Sequence, residues 1–142
     1  MKTWSLIIAM GLMAAGCASD PEKIQGCEGG VTENCLPVIY FLPDSYALSP
    51  YGQKKLDGDI EKMEQWPEKQ VLVKGHSYEW GGEGYNQELS EYRAKIVEQY
   101  LIQKGIDPDR IQVEPRGLAE PVCLDKECRN LNRRTVVEMH SE

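Results

Sequence analysis

Gly75-His76-Ser77-Tyr78-Glu79-Trp80-Gly81-Gly82-Glu83-Gly84-Tyr85-Asn86-Gln87-Glu88-Leu89-Ser90-Glu91-Tyr92-Arg93 is the stretch on which this chain's architecture turns. It leaves an apolar run, Val71-Leu72-Val73, and finishes inside an amphipathic segment. Glycines at 75, 81, 82 and 84 lie between the two. A glycine-rich turn beside a helix start exposes backbone amides, which suits an anionic ligand.

Working outward, the elements on either side follow from local signals. Val38-Ile39-Tyr40-Phe41 is a short run of high β-propensity. Ser49-Pro50 supplies an N-cap and a first-turn proline, Leu56, Ile60 and Met63 recur at helical spacing, and Pro67 closes the helix after Trp66. Val71 to Val73 forms a second strand. The next helix is expected over 86–104, with Leu89, Ile96, Val97, Tyr100 and Leu101 on one face and Gly105 as its stop. Ile111-Gln112-Val113 is a third strand, 115–132 a long loop, and 135–139 a fourth strand. The order β-α-β-α-β-β predicts an α/β (α+β) two-layer sandwich, with a mixed sheet and the helices on one face.

These landmarks resemble the OmpA-like peptidoglycan-binding family, whose signature reads G-H-T-D-x-x-G, then Y-N, L-S and R. Gly75-His76, Tyr85-Asn86, Leu89-Ser90 and Arg93 match it. The resemblance extends to residues 41–48, to Arg93-Ala94 with Val97 and Tyr100-Leu101, and to Gly105-Ile106. Asp109-Arg110-Ile111, Gly117 with Pro121, and Asn132-Arg133-Arg134 continue it, so that it covers residues 37 to about 140. Two positions depart: Tyr78 stands where the family has aspartate, and Leu42 where many relatives carry an acid.

The resemblance implies a ligand, the meso-diaminopimelate of the peptidoglycan stem peptide. Such a zwitterion needs a guanidinium or amides for its carboxylate and an acid for its ammonium. By resemblance Arg93 is the carboxylate clamp, Asn86 a second polar contact, and Asp44 a carboxylate in the first strand's loop. Ser77 belongs to the same contact set. The ammonium partner falls at Tyr78, whose phenol carries no charge near neutral pH. Losing a charge-assisted partner costs ~1–3 kcal/mol, and Glu79 next door is the candidate replacement. Each residue also has a structural reading. Arg93 could pair with Glu91 or Asp44 on the surface, Asn86 could cap the helix, and His76 could be a buried structural histidine. Tyr78 and Trp80 could form an aromatic platform for a sugar or a protein, or simply cover the sheet edge. Arg133 and Arg134 suit a bracing role.

The N-terminus reads as an export signal. Lys2 is the sole charge before Asp20, and an apolar run from Leu6 to Leu12 leads into Ala14-Ala15-Gly16-Cys17. This resembles the lipobox of a bacterial lipoprotein. It implies a signal peptide over 1–16, a diacylated Cys17, a tether over 17–36 and a folded domain over 37–142. Acyl chains anchor at ~0.8 kcal/mol per buried methylene. Ala18 in place of aspartate favours the outer membrane, with the domain facing the periplasm. A tether of about 19 residues reaches at most ~65 Å.

Without Cys17, four of the five cysteines remain, Cys27, Cys35, Cys123 and Cys128. An even number in an exported chain reads as two disulfides. Cys123 with Cys128 and Cys27 with Cys35 is the expected pairing, among three that are formally possible. Neither pair has the two-residue spacing of a zinc knuckle, so no metal site is expected.

Without Lys2, the chain carries 15 basic residues against 23 acidic ones, a balance of −8. Nucleic acid, which needs a basic footprint, is not an expected partner. The sequence contains no G-x-S-x-G, H-E-x-x-H or Walker loop, so neither an enzyme nor a cofactor is expected. The function implied is an outer-membrane lipoprotein that binds peptidoglycan and links cell wall to membrane. The alternative is an interaction subunit of an envelope secretion or transport complex that keeps the fold with weak or no peptidoglycan binding.

Overall fold

A computed structural model describes Leu36 and residues 38–141. The expected leader, Cys17, the expected tether up to residue 35 and the expected Cys27–Cys35 bridge lie outside the described residues. The element order is β1 (Ile39–Tyr40), α1 (Pro50–Gln65), β2 (Gln70–Gly75), α2 (Glu83–Gln103), β3 (Ile111–Pro115) and β4 (Arg134–His140). Short 3-10 turns at Pro108–Arg110 and Arg129–Asn132 precede the last two strands.

The sheet order is β1-β4-β2-β3. β4 lies between β1 and β2 and runs antiparallel to both, whereas β2 and β3 are parallel. A parallel pair needs a crossover, and α2 supplies it. Alternation along the strands sets the faces. Val71, Val73 and Gly75 of β2 and Thr135, Val137 and Met139 of β4 point into the core. They pack with Leu56, Ile60 and Met63 of α1, and with Ala94, Val97 and Leu101 of α2. The opposite face carries half-buried Leu72 and Val136, and an ion pair of 2.8 Å between Lys74 Nζ and Glu138 Oε2.

Local signals set the helix ends. Ser49 Oγ accepts the Gly52 amide at 3.0 Å, an N-cap with Pro50 in the first turn. At the other end of α1, Arg110 donates to the carbonyls of Met63, Trp66 and Lys69 at 3.2, 2.9 and 2.9 Å, taking up acceptors that a helix end leaves unpaired. Gly105, at φ +103°, ends α2. Its amide donates to Ile102 and that of Ile106 donates to Leu101, the Schellman arrangement.

The helix expected from residue 86 begins three residues earlier, with Gly82 as its N-cap. Asn86 is therefore inside the helix, and the capping role considered for it does not hold. Gly75 also does something other than open a turn. A Cβ there would sit 1.9 Å from the Ser90 carbonyl oxygen, so the bare glycine is what lets α2 lie directly on β2.

Candidate ligand-binding site

Three segments meet where β2 runs out: residues 42–45 before α1, residues 76–79 leading to α2, and the approach to β4 at 129–134. Arg93 of α2 ties the first two together. Its Nε donates to Ser45 O at 2.9 Å and its Nη1 to His76 O and Ser77 Oγ at 3.2 and 3.3 Å. Its Nη2 donates to Leu42 O at 3.2 Å and Glu79 Oε1 at 2.9 Å. A guanidinium has five N–H donors, and all five are engaged. The Phe41 ring lies 5.4 Å below.

Arg93 is 0% exposed and the Glu79 side chain 6%. Burial pulls the Arg93 pKa down from its ordinary value, and Glu79 opposes that pull. Its partner is thus Glu79, not Asp44, and Glu91 pairs instead with Lys95. Arg133 Nε stands 3.8 Å from the same Glu79 oxygen and 3.3 Å from Phe41 O, to which it donates.

Asn86 is equally committed. Its Oδ1 accepts Ser77 Oγ–H and the Glu79 amide, both at 2.8 Å. Its Nδ2 donates to the carbonyls of Glu79 and Gly82 at 3.2 Å. All four hydrogen-bonding positions of the amide are used. Asn86 and Arg93 therefore hold the 76–79 loop from below, and Ser77 is buried between them.

Asp44, with φ of 48°, is exposed at the mouth and accepts Tyr85 Oη–H at 2.9 Å. That hydrogen bond raises the Tyr85 pKa. His76 is buried, with Nδ1 at 3.2 Å from the Ala119 carbonyl, and so is the donor of that pair. Burial and the nearby Arg134 lower its pKa to about 4, leaving it neutral at pH 7. Arg134 in turn donates to Glu120 O at 3.1 Å.

Tyr78 turns the other way from Glu79, towards the loop before β4. With Glu79, Trp80, Gly81, Leu118 and Arg129 it lines an open cleft of about 350 Å³. The Arg129 guanidinium stands over both rings, 5.6 Å from Tyr78 and 5.8 Å from Trp80. A disulfide joins Cys123 to Cys128, as expected, just before the 3-10 turn that carries Arg129. Asn132 fastens the same loop. Its Oδ1 accepts the amides of Val122 and Cys123, and its Nδ2 donates to Cys123 O. Arg129 does not figure among the residues the sequence marks out. It lies in a loop without periodicity, 51 positions from Tyr78, and no pattern along the chain joins the two.

The mixed four-stranded sheet, its two helices and the buried arginine under a glycine-flanked loop define a small α/β ligand-binding domain. The profile of the OmpA family matches residues 40–134, more than half of the chain, and the chain belongs to that family. Among its relatives is outer membrane protein A of Bordetella avium, 36% identical over 102 residues that cover 70% of this chain and 53% of that protein. The chain thus spans about half the length of that relative. The peptidoglycan-associated lipoprotein of Mesorhizobium japonicum is 30% identical over 140 residues, covering 97% of this chain and 80% of that one. The crystal structure of the peptidoglycan-associated lipoprotein from Burkholderia pseudomallei superposes with a TM-score of 0.69 at 27% identity, covering 72% of this chain and 89% of that chain.

Proposed function

We propose that this protein is an outer-membrane lipoprotein that binds peptidoglycan non-covalently through the diaminopimelate of its stem peptide, and so ties the cell wall to the membrane. The observation that carries the reading is the mouth above Arg93. There Asp44 stands at the surface, and Glu79, with Ser77 and Asn86 beneath, gives the loop a fixed shape. Exposed Asp44 is the acid for the ligand's ammonium, which Tyr78 cannot pair by charge, while Glu79 is committed to Arg93. Arg93, its donors engaged and its charge paired with Glu79, supports the site from below. The names of the relatives, peptidoglycan-associated lipoprotein and outer membrane protein A, accord with this reading. So does the apolar leader running into Cys17, the anchor in this proposal.

Co-sedimentation of the purified protein with isolated sacculi tests it. The wild type should pellet with sacculi and stay in solution without them. A wild type that remains soluble at high sacculus concentration would instead favour an interaction subunit of an envelope complex. Cys17→Ser should move the protein from the membrane fraction to the soluble periplasmic fraction, and unchanged fractionation would sink the anchor.

A further inference from the structure

Six arginines lie among the described residues, and five of them hydrogen-bond or ion-pair with the protein, although Arg116 Nε and Arg134 Nη1 are buried without an acceptor. Arg93 has five acceptors, Arg110 three carbonyls, Arg116 the carboxylates of Glu114 and Glu120, Arg133 Phe41 O and Glu79, and Arg134 the Glu120 carbonyl. Arg129 is the exception. Among the described residues it donates no hydrogen bond and joins no ion pair, and its Nε is buried without an acceptor. Among the described residues, two aromatic rings alone hold it.

That arrangement suits an anion. Aromatic rings attract a guanidinium electrostatically without accepting its N–H bonds in the plane. The two Nη groups stay available to an incoming carboxylate, which a guanidinium engages with paired hydrogen bonds. The surroundings are those of a built site. Trp80, 91% exposed, Tyr78 and Leu118 wall the cleft with apolar surface. The Cys123–Cys128 bridge and Asn132 hold the arginine's backbone in place before any ligand arrives, which lowers the ordering cost of binding.

The geometry points to Arg129 as the carboxylate-binding residue of this protein, within a cleft shaped for a carboxylate on an aliphatic stem. This rests on the peptidoglycan reading, in which that group is a carboxylate of the diaminopimelate side chain. Arg93 then supports the loop from beneath, its donors fully engaged, while Arg129 meets the ligand directly. Tyr78, where the family has an acid, orients that arginine.

The test titrates the purified protein with the tripeptide L-Ala-γ-D-Glu-meso-diaminopimelate, following the Trp80 indole by NMR, and repeats it with the diaminopimelate carboxylates amidated. Sacculus co-sedimentation runs in parallel. The wild type should bind the free acid, with a shift at Trp80, and bind the amidated peptide about tenfold more weakly or worse. Arg129→Ala should weaken free-acid binding by the same factor and erase the difference between the two peptides. Arg129→Lys should restore part of it. Thermal melts of both variants should match wild type, because Arg129 holds nothing together. If wild type pellets with sacculi and Arg129→Ala binds the free acid as wild type does, the role of Arg129 is wrong and the peptidoglycan reading stands. If wild type binds neither sacculi nor tripeptide, both fall.

Discussion

The Arg93 guanidinium and the Glu79 carboxylate lie 2.9 Å apart and are sealed from solvent, one from the middle of α2 and the other from the loop beneath its start. Removing one partner of such a pair strands the other charge in a place water does not reach. Arg93→Ala also orphans the carbonyls of Leu42, Ser45 and His76. The variant should lose about 3–5 kcal/mol of unfolding free energy. Urea denaturation followed by tryptophan fluorescence measures this, and a loss below about 1 kcal/mol would show that the pair is not buried in solution. Loss of ligand binding in Arg93→Ala therefore reports loop collapse as much as lost contact.

Gly75 faces Ser90 across the junction of β2 with α2. A methyl group on it would lie 1.9 Å from the Ser90 carbonyl oxygen and 3.1 Å from the Ala94 side chain, so the helix must move. Gly75→Ala should cost about 1–3 kcal/mol and loosen the 76–79 loop above it. Faster amide exchange at Asn86 and Ser77 is the expected sign. A melt within a degree of wild type would mean that α2 does not lie this close.

Asp59 sits on the inward face of α1, 1% exposed, with Oδ2 unpartnered among the described residues. Burial raises its pKa to about 7, against the pull of Lys62 and Lys55. A folded-state value above the unfolded one means the neutral acid favours folding. That stability is complete below about pH 4 and is lost as pH rises through about 7. His76 works in the opposite sense: lowered to about 4, it contributes above about pH 6.5 and fails as pH falls. The two trends offset each other across the same window. Asp59→Asn removes one of them. The variant should be about 2 kcal/mol more stable than wild type at pH 8, equal to it near pH 4, and should gain stability steadily between. Parallel stability–pH curves for the two proteins would refute this.

The Cys123–Cys128 bridge closes a short loop, and closing it stabilises the fold by about 2 kcal/mol in the chain-entropy treatment. Replacing both cysteines by alanine should cost that amount. It should also broaden the Trp80 indole resonance, because the loop beneath Arg129 loses one of its two fasteners. A sharp, unshifted Trp80 signal in the double variant would show that Asn132 alone holds the loop.

Much of this architecture is legible along the chain because its cues are local. Ser49-Pro50 and Pro67 bracket α1, Gly105 ends α2, and alternation places Val71 and Val73 inward, each acting within a few residues. The start of α2 is less legible. Gly81, Gly82 and Gly84 read as turn, yet Gly84 is already helical, because packing on β2 outweighs its poor propensity. The candidate site divides the same way. Arg93, Asn86 and Ser77 can be named from the resemblance to the family signature, but that resemblance does not say how many of their hydrogen bonds the protein itself consumes.

By itself the sequence determined the order of elements, the family and the expected export signal, and favoured Cys123 with Cys128 among three possible pairings. It also showed that position 78 lacks a charge. Only the tertiary structure decided that Glu79 points inward to Arg93 while Tyr78 points outward to Arg129, and that Arg129 alone among the described arginines makes no hydrogen bond or ion pair with them. The physical reason is range. Caps, turns and alternation are written over a few residues, whereas hydrogen-bond satisfaction and burial belong to groups that meet only when distant segments fold together.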